Sequence, residues 1–133
     1  MQILVHAADD LPIYRQIMRQ VTEAIAGGRL KPGDRLSSHR ELSEQLVIAP
    51  LTVKKAYDEL ELLGYIETHR GRGTFVCHKL PRRSRAAHQE QLQDSARKLL
   101  SQIYLSGLTY QDALRMLERA DHELSDGPVK ESA

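Results

Sequence analysis

Between Ser38 and Cys77 the apolar spacing of the chain changes from a helical period to an alternating one, and no other feature limits the fold as much. Ser38-His39-Arg40-Glu41 fits a capping box, in which Ser caps a backbone N–H and Glu reaches back from three residues on. Leu42 and Leu46 then form the buried stripe of a short helix. After a break of a few residues, Pro50 restarts the chain, and Val53, Ala56, Tyr57, Leu60 and Leu63 mark a further amphipathic helix stopped by Gly64. Tyr65-Ile66-Glu67-Thr68 and Thr74-Phe75-Val76-Cys77 are rich in β-branched and aromatic residues and flank the basic, glycine-rich tip His69-Arg70-Gly71-Arg72-Gly73. Two helices joined by a tight turn and followed by such a hairpin spell a winged helix-turn-helix.

An earlier helix completes the head. Asp9-Asp10-Leu11-Pro12 reads as its start, with acids at the positive helix end and Pro where a missing N–H does no harm. Ile13, Ile17, Val21, Ala24 and Ile25 recur at helical spacing, and Gly27-Gly28 ends the run. Lys31-Pro32-Gly33-Asp34 is a turn, and Leu36 anchors a short extended piece after it. Downstream, Leu80-Pro81-Arg82-Arg83-Ser84-Arg85 reads as a linker. Leu92, Ala96, Leu99 and Ile103 then form one helical stripe, ending near Gly107. A second capping box at Thr109 to Asp112 opens another, with Leu114, Leu117, Ala120 and Leu124. The expected organisation is a mainly α chain with one small β-hairpin: a winged helix-turn-helix over 1–79, a basic linker at 80–86, a two-helix segment over 87–124 and an unordered tail at 125–133.

Charge supports a polyanionic partner through its distribution. The net charge is only +1, but residues 1–85 carry 14 Lys and Arg against 10 Asp and Glu, whereas 86–133 carry 5 against 8. Between Thr68 and Ala86 stand six basic residues (Arg70, Arg72, Lys79, Arg82, Arg83 and Arg85) and no carboxylate. Such a run is often only a solvated face. No apolar stretch is long enough to span a bilayer, and no basic region precedes a long apolar run at the start, so neither a membrane span nor a secretory signal is expected. The lone Cys77 cannot form an internal disulfide, which agrees with a reducing, cytoplasmic setting.

At this point the residues resemble the GntR family of transcriptional regulators, in particular its small YtrA-type members. The resemblance rests on Leu11-Pro12-Ile13-Tyr14-Arg15-Gln16-Ile17, Gly28-Arg29-Leu30-Lys31-Pro32-Gly33-Asp34-Arg35-Leu36, Ser38-His39-Arg40-Glu41-Leu42, Thr52-Val53-Lys54-Lys55-Ala56-Tyr57 and Gly71-Arg72-Gly73-Thr74-Phe75-Val76, in unbroken order. Three positions depart from the family pattern. Ser37 stands where Pro is usual before the motif serine. Val47 replaces the usual turn glycine, which demands another backbone at that bend or some strain. Ala49 replaces a Ser, Thr or Asn, so the third helix loses a side-chain cap worth ~1 kcal/mol.

The chemistry follows from what DNA presents. Cations near phosphates gain affinity by releasing counterions, without sequence information. Sequence is read by side chains at base edges in the major groove, chiefly from the start of a recognition helix. The non-core residues there are Leu51, Thr52, Lys54 and Lys55. The resemblance implies DNA contacts by Ser38 and Arg40 of the second helix, by Thr52 and Lys54, and by a wing tip of Arg70 and Gly71 with Arg72 beside them. Leu51 has no side-chain donor but suits a thymine methyl group. Each position has a plainer alternative: Arg40 pairing with Glu44, Lys54 and Lys55 pairing with Asp58 and Glu59, Thr52 serving the helix start, or the arginines keeping a hairpin tip soluble.

Two amphipathic helices cannot satisfy their stripes against each other alone, and a partner usually completes such a core. The resemblance implies a homodimer built on Leu92, Ala96, Leu99, Ile103, Leu114, Leu117 and Leu124, although packing back onto the head is the alternative. A two-fold dimer matches an inverted-repeat operator, and the small size of the chain, with no evident surface for recruiting polymerase, favours a repressor over an activator. The resemblance further implies an operon that includes the regulator's own gene, often with an ABC transporter. An architectural DNA binder and a protein-interaction module remain the competing readings. Catalysis is not expected, since no nucleophile elbow or phosphate-binding loop is present. Neither a metal nor a cofactor is expected: Cys77 and His78, adjacent on a strand, point to opposite faces. With no separate ligand domain, a small-molecule effector would have to bind where head and dimer helices meet.

Overall fold

The computed structural model describes residues 2–81 and 85–127. Among these the chain forms, in order, α1 (Ile13–Ala26), β1 (Arg35–Leu36), α2 (His39–Leu46), α3 (Pro50–Leu62), β2 (Ile66–His69), β3 (Gly73–Val76), α4 (Arg85–Leu105) and α5 (Tyr110–Asp126). They divide into two compact units. One holds the residues up to Pro81 with Leu124–Gly127, and the other holds the two last helices up to Glu123.

In the first unit α3 packs on both α1 and α2, and the antiparallel sheet runs β1-β3-β2. Ile17, Val21 and Ala24 of α1 meet Val53, Ala56 and Leu60 of α3, with Leu42, Ile66 and Val76 closing the core. The short piece around Leu36 is a real strand, paired through Arg35↔Phe75 and Leu36↔Thr74. In β2 and β3 the ladder runs from Ile66↔Val76 to His69↔Gly73, one residue later on the first strand than the side-chain pattern implies. The reason is that Tyr65 N–H bonds Leu60 O (3.0 Å) to finish α3 across Gly64, whose φ of 89° is the left-handed cap that glycine favours. Leu63 caps this helix end and is 51% exposed, so it does not belong to the buried stripe expected of it.

The expected helix starts are present with differences in detail. Ser38 Oγ accepts Glu41 N–H at 3.1 Å, which is the forward half of the capping box. The Thr109 box is reciprocal: Asp112 N–H donates to Thr109 Oγ1 (3.2 Å) and Thr109 N–H to Asp112 Oδ2 (2.7 Å). Ahead of α1, Asp9 caps the Leu11 N–H in a turn rather than sitting in the helix itself, and Pro12 supplies only its carbonyl. Ala49, without a side-chain acceptor, leaves α3 without a side-chain cap, and Pro50 occupies the first helical position.

In the second unit the turn through Gly107 (φ 79°) joins α4 to α5, and Ile103 and Ala113 are buried. The helix begins at Arg85, inside the stretch expected to be linker, while Arg82 and Arg83 lie outside the described residues. At the other end α5 continues through Ser125 and Asp126, and residues 128–133 of the expected tail lie outside the described residues. Leu124 groups with the first unit rather than with the stripe it was expected to extend.

Candidate nucleic-acid interface

The turn between α2 and α3 sets the presentation of the recognition helix. Val47 takes φ 54° and ψ 51°, the left-handed conformation a glycine would adopt there, and is 89% exposed. A β-branched residue in that region is strained by roughly 1–2 kcal/mol. The turn forms regardless, because Val47 N–H and Ile48 N–H bond Glu44 O and Ser43 O. From the other side, the buried Tyr57 hydroxyl donates to Ser37 O at 2.6 Å, tying α3 to the residue before the Ser38 cap. Burial, with a smaller push from Glu41, raises the Tyr57 phenol well above its ordinary value, so it stays a donor.

On the surface framed in this way Arg40, Leu51, Lys54 and Lys55 are exposed and Ser38 and Thr52 half-buried. Leu51 is 77% exposed at the start of α3, an uncommon position for a large aliphatic side chain with no partner to cover it. Lys54 takes the plainer option, an ion pair with Asp58 at 2.9 Å. Lys55 does not pair with Glu59; its ammonium lies 4.2 Å from the centre of the Tyr14 ring on α1. No Arg40–Glu44 pair forms among the described residues, and Arg40 is left open to solvent.

The wing is a three-residue loop. Arg72 N–H bonds His69 O at 2.9 Å, and Gly71, at the third turn position, has φ 78°. Arg70, Gly71 and Arg72 are all exposed. Glu67 is turned toward His69 Nε2 (2.9 Å) and Cys77 Sγ (3.9 Å). One basic residue at the wing escaped the sequence reading. Pairing of β1 with β3 brings Arg35 to its base, where a Cβ on Gly73 would come within 3.0 Å of Arg35 Nε. Only the β1 pairing reveals this, since Arg35 is 38 residues away along the chain.

Burial, followed by the charges of Glu67 and Glu61, raises the pKa of the Cys77 thiol, the opposite of an activated thiolate. Among the described residues no group of His, Cys, Asp and Glu could hold a metal ion, and no helix is long and apolar enough to cross a membrane. In the second unit, the stripe residues Leu92, Leu99, Leu114 and Leu117 are 56, 43, 38 and 54% exposed. Ala96, Leu99, Ile103, Leu114 and Leu117 line an open apolar cavity of about 290 Å³ between α4 and α5.

Residues 13–76, which carry the whole helix-turn-helix and wing, match the family of bacterial regulatory proteins named gntR. The HTH-type transcriptional repressor YtrA of Bacillus subtilis is 33% identical over 116 residues, covering 87% of this chain and 89% of its own length. The chain belongs to the GntR family. It is a YtrA-type member, and its relatives are transcription regulators, a DNA-binding and non-enzymatic class. A crystal structure described as a transcriptional antiterminator from Listeria monocytogenes covers 99% of this GntR chain and 98% of its own, with a TM-score of 0.76 and 25% identity. The AraR DNA-binding domain, solved in complex with operator ORX1, covers 58% of this chain and 96% of its own, with a TM-score of 0.51 and 26% identity.

Proposed function

We propose that this GntR-family chain is a cytoplasmic, homodimeric transcriptional repressor that occupies an inverted-repeat operator. The observation that carries this reading is the exposed constellation of Arg40, Lys54 and the Arg70-Gly71-Arg72 wing, with Thr52 half-buried among them, on a winged helix whose relative AraR was solved on operator DNA. In this reading Ser38 and Arg40 fix the second helix on the backbone, and Leu51, Thr52, Lys54 and Lys55 face the major groove. The wing then enters the neighbouring minor groove, where Gly71 permits close approach. Leu51 reads by contact with a thymine methyl group.

The second unit supplies the dimer: a second copy covers Leu92, Ala96, Leu99, Leu114 and Leu117 and closes the cavity that the buried Ile103 lines. Two heads related by a two-fold axis match half-sites about one helical turn, or a multiple of it, apart. Linking two weak heads raises affinity far above that of one. Repression is favoured over activation because YtrA, similar along most of the chain, is named a repressor. The operator belongs to the regulator's own gene and an associated ABC-transporter operon. No cofactor is required.

The deciding measurement is fluorescence anisotropy of the full chain on its own upstream region against a scrambled duplex, over a salt series. Cognate binding tighter by about a thousandfold, abolished by Arg40→Ala, sustains the proposal. Equal binding of both duplexes with one steep salt slope makes the chain an architectural binder, and binding of neither makes it an interaction module.

A further inference from the structure

Tyr14 joins the first helix to the recognition helix through two cations. Lys55 Nζ stands 4.2 Å above the ring, and the Arg15 guanidinium carbon lies 5.9 Å from the same ring centre. Arg15 Nε also donates to Tyr14 Oη at 3.2 Å. The charged form of Arg15 is favoured first by that hydrogen bond, then by the charge interaction with Tyr14, and last by Glu59. Among the described residues neither Arg15 nor Lys55 has a carboxylate within ion-pair distance, although Lys55 has Glu59 at i+4. This contrasts with Lys54, one residue away, whose ammonium has Asp58 at 2.9 Å.

An aromatic face attracts a cation but carries no net charge, so it orients the ammonium without cancelling it. A phenol holding two exposed cations from two helices therefore leaves a preformed double positive charge beside the recognition helix. Its complement is a compact anion with several acceptor oxygens. We propose that Arg15 and Lys55, oriented by Tyr14, bind a backbone phosphate of the duplex outside the base-reading contacts, an inference that rests on the DNA-binding reading above. Lys55 is then a register-setting residue, not a base reader, and α1 becomes part of the interface. Tyr14 is a positioning residue: it touches the two cations and holds them together.

The test uses the full chain with the cognate and scrambled duplexes between about 50 and 200 mM salt. Arg15→Gln and Lys55→Gln are each expected to lower the slope of log affinity against log salt by about 0.9. Both should weaken the two duplexes by the same factor. Because the two cations share one phosphate, the double variant should lose less than twice the single loss. Tyr14→Phe keeps the ring under Lys55 and should preserve the effect of Lys55→Gln, whereas Tyr14→Leu should reduce it. If Tyr14→Leu fails to fold, the two exposed cation variants still decide. Slopes for Arg15→Gln and Lys55→Gln equal to that of the parent overturn the proposal while leaving the DNA-binding reading intact. A parent chain that binds neither duplex overturns both.

Discussion

Gln16 completes the main chain of His6 from ten residues away. His6 N–H donates to Gln16 Oε1 at 2.8 Å, and Gln16 Nε2 donates back to His6 O at 2.9 Å and to Leu11 O at 2.7 Å. One helical turn on, Gln20 does the same for Leu4, with bonds of 2.9 and 2.5 Å. Two side-chain amides on α1 thus bond alternate residues, Leu4 and His6, as a neighbouring strand would, so that the residues out of phase with them face inward: Ile3 is buried in the core and Val5 packs against it.

Gln16 is 1% exposed, so its polar atoms have no water to fall back on. Gln16→Leu keeps the volume but strands the His6 N–H and the carbonyls of His6 and Leu11, at a cost of about 2–3 kcal/mol. The expected result is a fall in melting temperature of about 10 °C, followed by circular dichroism. A change under about 3 °C would show that the segment ahead of α1 adds little to the head's stability.

Val47 offers the opposite experiment. Its side chain is almost wholly exposed, so Val47→Gly removes the left-handed strain without opening a cavity. Part of the gain is offset by the extra freedom of glycine in the unfolded chain. A net stabilisation of about 1 kcal/mol is expected in urea unfolding. Loss of stability would mean that Val47 makes a contact its exposure does not suggest.

These two positions mark what could be read in the sequence. The left-handed bend at Val47 was legible through the resemblance, which puts a glycine at that position and so left either a different backbone or strain for a valine standing there. Helix starts at Ser38 and Thr109, the turn at Gly64 and the wing glycines were legible from the residues themselves: each is a local requirement of the backbone. The Gln16 and Gln20 clamp, the Tyr57–Ser37 bond and the placement of Arg35 at the wing were not. They are contacts between polar atoms of separate elements, set by packing angles rather than by any period. At the site, the residue types were readable but their partners were not; nothing in Lys54-Lys55 tells which lysine takes the carboxylate and which takes the ring.

Tyr57 gives a pH-dependent prediction. Its folded pKa lies above its unfolded value near 10, so the neutral phenol is favoured by folding. Its contribution is complete below about pH 10 and is lost as pH rises through the folded pKa. Tyr57→Phe should therefore cost about 1 kcal/mol at neutral pH through the lost bond to Ser37 O. Above about pH 10 the parent should lose stability faster than the variant, closing the gap. Parallel alkaline slopes in urea titrations of the two proteins would contradict this.

Asp112 supplies the acid counterpart. Its carboxyl is held below the usual carboxylate range, first by the Thr109 N–H and then by Arg115 and the Thr109 hydroxyl. A depressed folded pKa means that the stabilisation is present above about pH 4 and lost as pH falls through the folded value. Thermal midpoints of the parent and Asp112→Asn should differ at neutral pH and converge on acidification. A constant difference across that range would assign the effect to packing instead of charge.

The dimer proposal is testable at the open face of α4 and α5. Leu99 and Leu117 border the apolar cavity and are about half exposed, so neither holds the isolated unit together. If a second copy covers them, each full burial contributes about 1.5–3 kcal/mol, and a two-fold axis repeats every substitution in both subunits. Leu117→Glu should then weaken the dimer by at least a hundredfold, since the carboxylate also loses hydration. Sedimentation velocity should report a monomer at micromolar concentration, with circular dichroism unchanged. Operator affinity should fall with it, because each head is left to bind alone, while Arg40→Ala in the same assay should lose DNA and remain dimeric. A Leu117→Glu protein that stays dimeric would place the partner surface on another face of the chain.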